Sequence, residues 1–174
     1  TDGSQPIGNG IGPALEARDI LWVLMQDKRR PLDLEKKCIY MASEIFKMAG
    51  IKGGKSRAMG ILASGSAYSK MKEIIQAQEG NIFEPNKIRI GNFKYDVKSD
   101  KSGTIAKICN KSVSRIARIA GAPLNKGAGI YLYRHVGDKV KSGDKIFTIY
   151  SESRQKMDFA KEALKSEQDF IVKS

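Results

Sequence analysis

Over roughly the first eighty positions apolar residues recur at three- and four-residue steps, and beyond them they fall into short alternating runs. Ala14, Leu15, Ala17, Leu21, Trp22 and Leu24 predict a helix over residues 13–27, with Pro13 in the first turn, where its missing N–H would be unpaired anyway. A second helix is predicted over 33–49 from Leu34, Cys38, Met41, Ala42, Ile45 and Met48. There Asp33 is placed to cap, Gly50 to close, and Met41 and Met48 read as core filler. Shorter helices follow at 56–63 and 66–78. After Gly80 the pattern predicts strands at 88–90, 93–98 and 104–108, then a helix capped by Asn110 and stopped by Gly121 and Pro123. Residues 129–134 and 145–150 are the clearest strands, joined around Val140 by turns at Gly137-Asp138 and Gly143-Asp144. A last helix starts near Ser153, and residues 170–172 can return as an edge strand. The change in periodicity divides the chain into 1–80 and 81–174, a helical segment followed by an α+β unit.

Composition narrows the function classes. The 174 residues carry 31 Lys and Arg against 19 Asp and Glu, a net charge of +12 with a pI near 9.7. Such an excess invites a nucleic-acid reading. The lysines, however, recur singly and in pairs, and the densest cluster, Lys28-Arg29-Arg30, is three residues long. An anionic small-molecule substrate suits the same surface, and a stand-alone basic module binding nucleic acid or another anion is the alternative class. No apolar run approaches the roughly 20 residues of a membrane span. The opening Thr1-Asp2-Gly3-Ser4 is neither signal nor transit peptide, so a cytoplasmic location is expected. Cys38, Cys109 and the single His135 cannot complete a four-ligand zinc site within one chain, and two thiols make no disulfide framework.

Candidate chemistry is sparse. Gly3, Gly8, Gly10 and Gly12, with Pro6 and Pro13, form a loop feeding the first helix, whose N–H groups attract anions or carbonyl oxygens. The spacing is neither that of a dinucleotide fingerprint nor that of a nucleotide-triphosphate loop. One histidine and no clustered acidic pair leave few groups for general acid–base work, and no catalytic residue is assigned. His135, before a Gly-Asp turn, reads as structural, and Glu16 as a partner of the helix dipole. The stretch from His135 to Ile149 resembles the hammerhead half of biotinyl and lipoyl carrier domains. Tyr150-Ser151-Glu152-Ser153 follows where a carrier would place its modified lysine, which argues against that function.

The run from Thr1 to Asp19, TDGSQPIGNGIGPALEARD, closely resembles a segment of the thymidine and pyrimidine nucleoside phosphorylase family, nearest its archaeal branch, the AMP phosphorylases. Ser64-Gly65-Ser66-Ala67-Tyr68 and Ala77-Gln78-Glu79-Gly80 are similar to two further pieces of that family, and residues 129–149 look like its C-terminal domain. The resemblance implies that residues 1–80 complete the edge of an α/β domain and that 81–174 are an α+β C-terminal domain with a barrel-sandwich or hammerhead-like hairpin. It also implies a C-terminal fragment, about the last third of an enzyme, inactive alone and partnered by the N-terminal part of the same enzyme. The intact protein would be a homo-oligomeric pentosyltransferase acting on AMP or a nucleoside with phosphate as co-substrate. Its phosphate and base contacts would lie upstream of Thr1. No cofactor is required for the chemistry. A monovalent cation is implied on the carbonyls of Ile7 and Gly10 and the carboxylate of Asp19, where Asp stands in place of the family's Glu and reaches about one methylene less.

Overall fold

The computed structural model describes residues 1–165 and 170–173. The elements, in chain order, begin with β1 (Gly10–Ile11), α1 (Pro13–Leu24), α2 (Leu32–Met48), α3 (Gly54–Ala63) and α4 (Ser66–Ala77). They continue with β2 (Phe93–Lys98), β3 (Gly103–Ile108), α5 (Asn110–Ile119), β4 (Gly129–Leu132), β5 (Lys139–Val140), β6 (Lys145–Ser151), α6 (Arg154–Leu164) and β7 (Phe170–Lys173). The fold is α+β. Two compact units divide the chain: Thr1 with Ala17–Ile88, and Asp2–Glu16 with the chain from Arg89 onward. The division falls inside α1, after its first turn.

In the first unit α3 packs on both α2 and α4. A Cβ on Gly54 would stand 2.8 Å from the Ser43 carbonyl oxygen and 3.0 Å from the Phe46 Cβ, so α2 and α3 meet at near-backbone distance. Trp22 is buried in α1 with the guanidinium groups of Arg18 and Arg29 stacked 4.8 and 5.1 Å from its ring centre. Three sequence expectations fail here and just beyond. Met41 and Met48 are not core filler but exposed, at 50% and 86%. At 100° per residue they lie on the side of α2 turned away from Phe46, and α2 buries no residue fully. Asp33 is not a cap, because the helix begins one residue earlier behind Pro31, which puts the carboxylate in the first turn. Residues 88–90 form no strand; a single 3-10 turn at Pro85–Lys87 takes the chain past this stretch.

The second unit holds two antiparallel sheets, β1-β4-β6-β2 and β5-β3-β7. The long neighbours β4 and β6 pair directly, Ile130 with Ile149 and Leu132 with Phe147, while the short β5 between them leaves to pair with β3. Strand alternation therefore sends Ile130, Leu132, Phe147 and Ile149 to one face, all at 1% exposure or less. Helices α5 and α6 close that face with Val113, Ile116, Ala117 and Ala120 from the one and Met157 and Ala160 from the other. Burying an aliphatic side chain such as Ile116 is worth about 1.5–3 kcal/mol, so this contiguous cluster is the main support of the unit. Ser153 caps α6 by accepting from the Lys156 N–H. Asn110 does not cap α5: the cap position is Cys109, and the Asn110 side chain donates instead to the Gly3 carbonyl at 2.8 Å. Among the described residues no helix is long and apolar enough to cross a membrane.

Candidate functional site

The glycine-rich opening is not only a loop. Gly10 and Ile11 add an edge strand to β4, in register with Tyr131 and Ile130. Beyond Gly10 and Tyr131 the pairing is extended by the Leu132 N–H to the Asn9 carbonyl at 2.7 Å and the Val136 N–H to Gln5 Oε1 at 2.9 Å. Glycine at position 10 lets the strand lie against α1, since a Cβ there would come within 2.5 Å of the Leu15 carbonyl carbon. The α1 terminus spends its N–H groups locally. Ala14 N–H donates to the Lys126 carbonyl at 3.0 Å, and the Glu16 carboxylate reaches back to accept from the Gly12 N–H at 2.9 Å. A carbonyl oxygen and a carboxylate thus take donors that sequence alone left open to an anion.

Asn9 ties this strand to the end of β4. Its Oδ1 lies 2.9 Å from His135 Nε2 and its Nδ2 donates to the Tyr131 hydroxyl at 3.3 Å. With Asn9 Oδ1 as acceptor, Nε2 carries the imidazole proton. The His135 N–H is taken by Asp138 and the Lys141 N–H by Asp144, so each Gly-Asp turn is closed by its own aspartate. His135 is thus engaged through both Nε2 and its backbone N–H.

Beside this tie lies a polar and aromatic face on the outer side of β4 and β6. Thr148, buried to 1%, donates to Asp96 Oδ1 at 2.6 Å and stands 3.2 Å from the Tyr133 hydroxyl. Lys145 Nζ is 2.7 Å from Asp96 Oδ2 and 5.3 Å from the Tyr133 ring centre. Tyr131 and Tyr133 meet edge to face at 5.2 Å. The Lys145 ammonium, and after it the Thr148 hydroxyl, hold the Asp96 carboxyl below the ordinary carboxylate range; the same hydrogen bond raises Lys145. At the other end of the sheet Glu152 clamps the loop over residues 121–128, accepting from the Gly127 N–H at 2.6 Å and from Asn125 Nδ2 at 3.2 Å. Gly91 N–H completes the clamp on the Gly127 carbonyl at 2.7 Å. Sequence reasoning did not find Glu152, because its partners stand 25 and 27 positions away and no local spacing marks them. Cys109, half-buried at the head of α5, has its thiol pulled below the usual value, mainly by hydrogen bonds from the Ser112 hydroxyl and N–H.

Ile7 and Gly10, the two carbonyl positions expected to face a cation, flank the Gly8-Asn9 turn in the second unit, Ile7 exposed and Gly10 buried in β1. Asp19, at 1% exposure, stands in α1 within the first unit. Among the described residues no group of three or more His, Cys, Asp or Glu side chains is assembled for a metal, and the expected set, with one carboxylate, is not of that kind. The carboxylates of Glu16, Asp96, Asp138, Asp144 and Glu152 and the His135 imidazole are committed to backbone N–H groups, an amide, a hydroxyl and an ammonium. What they accomplish together is positional: they hold the glycine-rich strand, the 121–128 loop and the Gly-Asp turns in fixed register.

Comparison with known proteins gives this arrangement a context. Residues 104–170 match the family model of the pyrimidine nucleoside phosphorylase C-terminal domain. The chain is 46% identical over 92% of its length to the AMP phosphorylase of Thermococcus kodakarensis and 40% identical over 99% to AMP phosphorylase 1 of Archaeoglobus fulgidus. It is also 42% identical over 94% to the "Putative thymidine phosphorylase" of Albidiferax ferrireducens. These matches take in 32%, 34% and 32% of the respective relatives, so the chain spans about a third of the length of the curated relatives it matches. Bacterial relatives stand beside archaeal ones, and the expected tie to the archaeal branch holds only in part.

Proposed function

We propose, from the match of residues 104–170 to the pyrimidine nucleoside phosphorylase C-terminal domain family, that this chain is the C-terminal third of a pentosyl-transferring phosphorylase. The reaction of the whole enzyme in this reading is AMP and phosphate to adenine and ribose 1,5-bisphosphate. The N-glycosidic bond breaks, the base leaves with the bonding electron pair and takes up a proton, and a phosphate oxygen bonds to the anomeric carbon. That chemistry needs an anion cradle and donors aimed at the departing base. The groups described here serve as scaffold instead. The observation that carries the reading is sustained identity of 40–46% to AMP phosphorylases over 92–99% of the chain. The intact enzyme works as an oligomer, and the remaining two thirds of the same polypeptide are the chain's principal partner. A monovalent cation on the carbonyls of Ile7 and Gly10 would brace the Gly8-Asn9 turn and take no part in the bond change.

The test is an assay of the full-length gene product and of this chain, each with AMP, CMP, UMP, thymidine or uridine in the presence and absence of phosphate. Full-length enzyme is expected to release base only with phosphate, fastest from AMP, and the chain alone to release none. Steady base release by the pure chain overturns its role as scaffold. A full-length product that leaves every one of these substrates intact overturns the phosphorylase reading.

A further inference from the structure

The smaller sheet of the second unit carries a row of uncompensated positive charge. Ile105, Val140 and Val172 are buried on its inner face, so strand alternation turns Thr104, Lys139 and Lys173 outward. Register sets these three side by side, with Thr104 of β3 opposite Lys139 of β5 on one side and Lys173 of β7 on the other. Glycine at position 103 lets β7 come this close, since a Cβ there would stand 2.2 Å from the Lys173 carbonyl oxygen. Beside the row lies an open hollow of about 640 Å³, lined by Gly103, Thr104, Lys139, Val140, Lys141 and Asp144. On the larger sheet an outward lysine is neutralised within the protein, Lys145 meeting Asp96 at 2.7 Å. Here none is. Among the described residues Lys139, Lys141 and Lys173 form no ion pair, and the Thr104 hydroxyl has no hydrogen-bond partner. The aspartates of the two flanking turns are engaged: Asp144 accepts from the Lys141 N–H at 3.0 Å and lies 3.6 Å from Arg134, and Asp138 accepts from the His135 N–H at 2.7 Å. We propose that this row binds the phosphate group of a small molecule, with the Thr104 hydroxyl donating from the middle, the Lys139 and Lys173 ammonium groups closing from either side, and the hollow beside Lys141 taking the rest of the ligand.

Charge and geometry select this ligand. Like charges held near one another across strands repel, and an anion between them removes the cost. Neighbouring strands are about 4.8 Å apart, so Lys139 and Lys173 flank a gap of roughly 10 Å. Their flexible stems let both ammonium groups swing in over the threonine. One hydroxyl and two ammonium groups match the three acceptor oxygens and nearly two negative charges of a phosphate monoester, whereas a carboxylate offers two oxygens and one charge. A nucleic-acid strand asks for a basic track several nucleotides long, and this row is three residues wide. The proposal rests on these residues and stands whether or not the phosphorylase reading does.

The test titrates the chain with inorganic phosphate and, separately, with ribose 5-phosphate at constant ionic strength, following backbone amide resonances by NMR. Saturable shifts are expected at Gly103, Thr104, Lys139, Lys141 and Lys173. Tighter binding of the ester than of free phosphate assigns the hollow to its sugar, and saturation by either ligand supports the site. The double variant Lys139→Gln/Lys173→Gln is expected to bind about tenfold more weakly or worse, since each ammonium supplies a charge-assisted bond. Both lysines are exposed, so the amides of the buried core should keep their positions in the variant. Lys55→Gln, in the first unit, is the control and is expected to bind as the parent does. Shifts spread without saturation over the exposed lysines mean bulk screening and overturn the proposal, as does a double variant that binds like the parent. Succinate bound as tightly as phosphate removes the phosphate selectivity and overturns it too. A single-stranded oligonucleotide that displaces phosphate, with an affinity falling steeply with salt, assigns the row to nucleic acid instead and likewise overturns it.

Discussion

Replacing Gly12 by alanine tests whether the glycine-rich strand depends on close approach to the 121–128 loop. Gly12 has φ +124°, and a Cβ there would stand 2.4 Å from the Ala128 carbonyl oxygen and 3.1 Å from the Gly129 Cα. The neighbour is backbone and cannot swing aside, so the two segments must part by roughly 1 Å to restore ordinary contact. Holding a residue with a side chain at such a φ costs about 1–3 kcal/mol. Parting the segments also weakens the Ala14 to Lys126 hydrogen bond and the two residue pairs of β1 with β4, at about 1 kcal/mol for each bond. The sum is about 4–6 kcal/mol, a large share of the roughly 5–15 kcal/mol typical of a domain. Two measurements read it: the urea midpoint, and hydrogen exchange at the Leu132 amide, which donates to the Asn9 carbonyl. Exchange is expected to accelerate by about a hundredfold or more, since each 1.4 kcal/mol is tenfold. Gly3→Ala is the control, because a Cβ there meets nothing within 4 Å. If Gly12→Ala shifts stability by less than about 1 kcal/mol and leaves Leu132 protected, the close-packed account of this strand is wrong.

Three further outcomes follow from particular residues. Gly60→Ala, in the interior of α3 with open space around the new methyl, is expected to stabilise by about 0.5–1 kcal/mol; an unchanged or lower urea midpoint counts against the helix described there. Ser112→Ala is expected to move the pH profile of Cys109 alkylation upward, since the serine hydroxyl is the main group favouring the thiolate, and a profile identical to the parent's would discount that bond. Asp96 has a depressed folded value, so its contribution to stability is complete above the unfolded carboxyl value of about 3.9 and is lost as pH falls through the folded one. Lys145→Met should bring the Asp96 titration, followed by NMR, back toward the ordinary range; no displacement would mean that the ammonium is not the principal cause.

Where a segment's partners are near in sequence, its structure was legible from the residues. The α5 stripe of Val113, Ile116 and Ala117, continued by Ala120 just past its end, and the apolar run of β6 announce themselves locally, because each packs on the same contiguous core. The turns at Gly137-Asp138 and Gly143-Asp144 are equally local, each aspartate closing its own turn. Met41 and Met48 misled because helical spacing reports a face without reporting whether anything covers it. Asn110 misled because a competing acceptor, the Gly3 carbonyl 107 positions away, took its amide and left the cap to Cys109. The strand at Gly10 and Ile11 was invisible for the same reason, two residues being too few for a period. At the candidate site the glycine segment and His135 stand out in the sequence, while the Glu152 clamp and the Thr148–Asp96–Lys145 chain needed strands to bring distant residues side by side.

The edge strand has a consequence for how this polypeptide is made. Asn9 is joined to Tyr131 across 122 positions, so a ribosome that has just released the glycine segment must translate the whole first unit and much of the second before β4 emerges. At about 5–20 residues per second that interval is on the order of 6–24 seconds, far longer than the microseconds in which a helix such as α1 can form. The opening residues therefore wait, tethered to a finished helix, with unpaired backbone groups facing whatever the cell offers, and their capture by β4 belongs among the last events of synthesis.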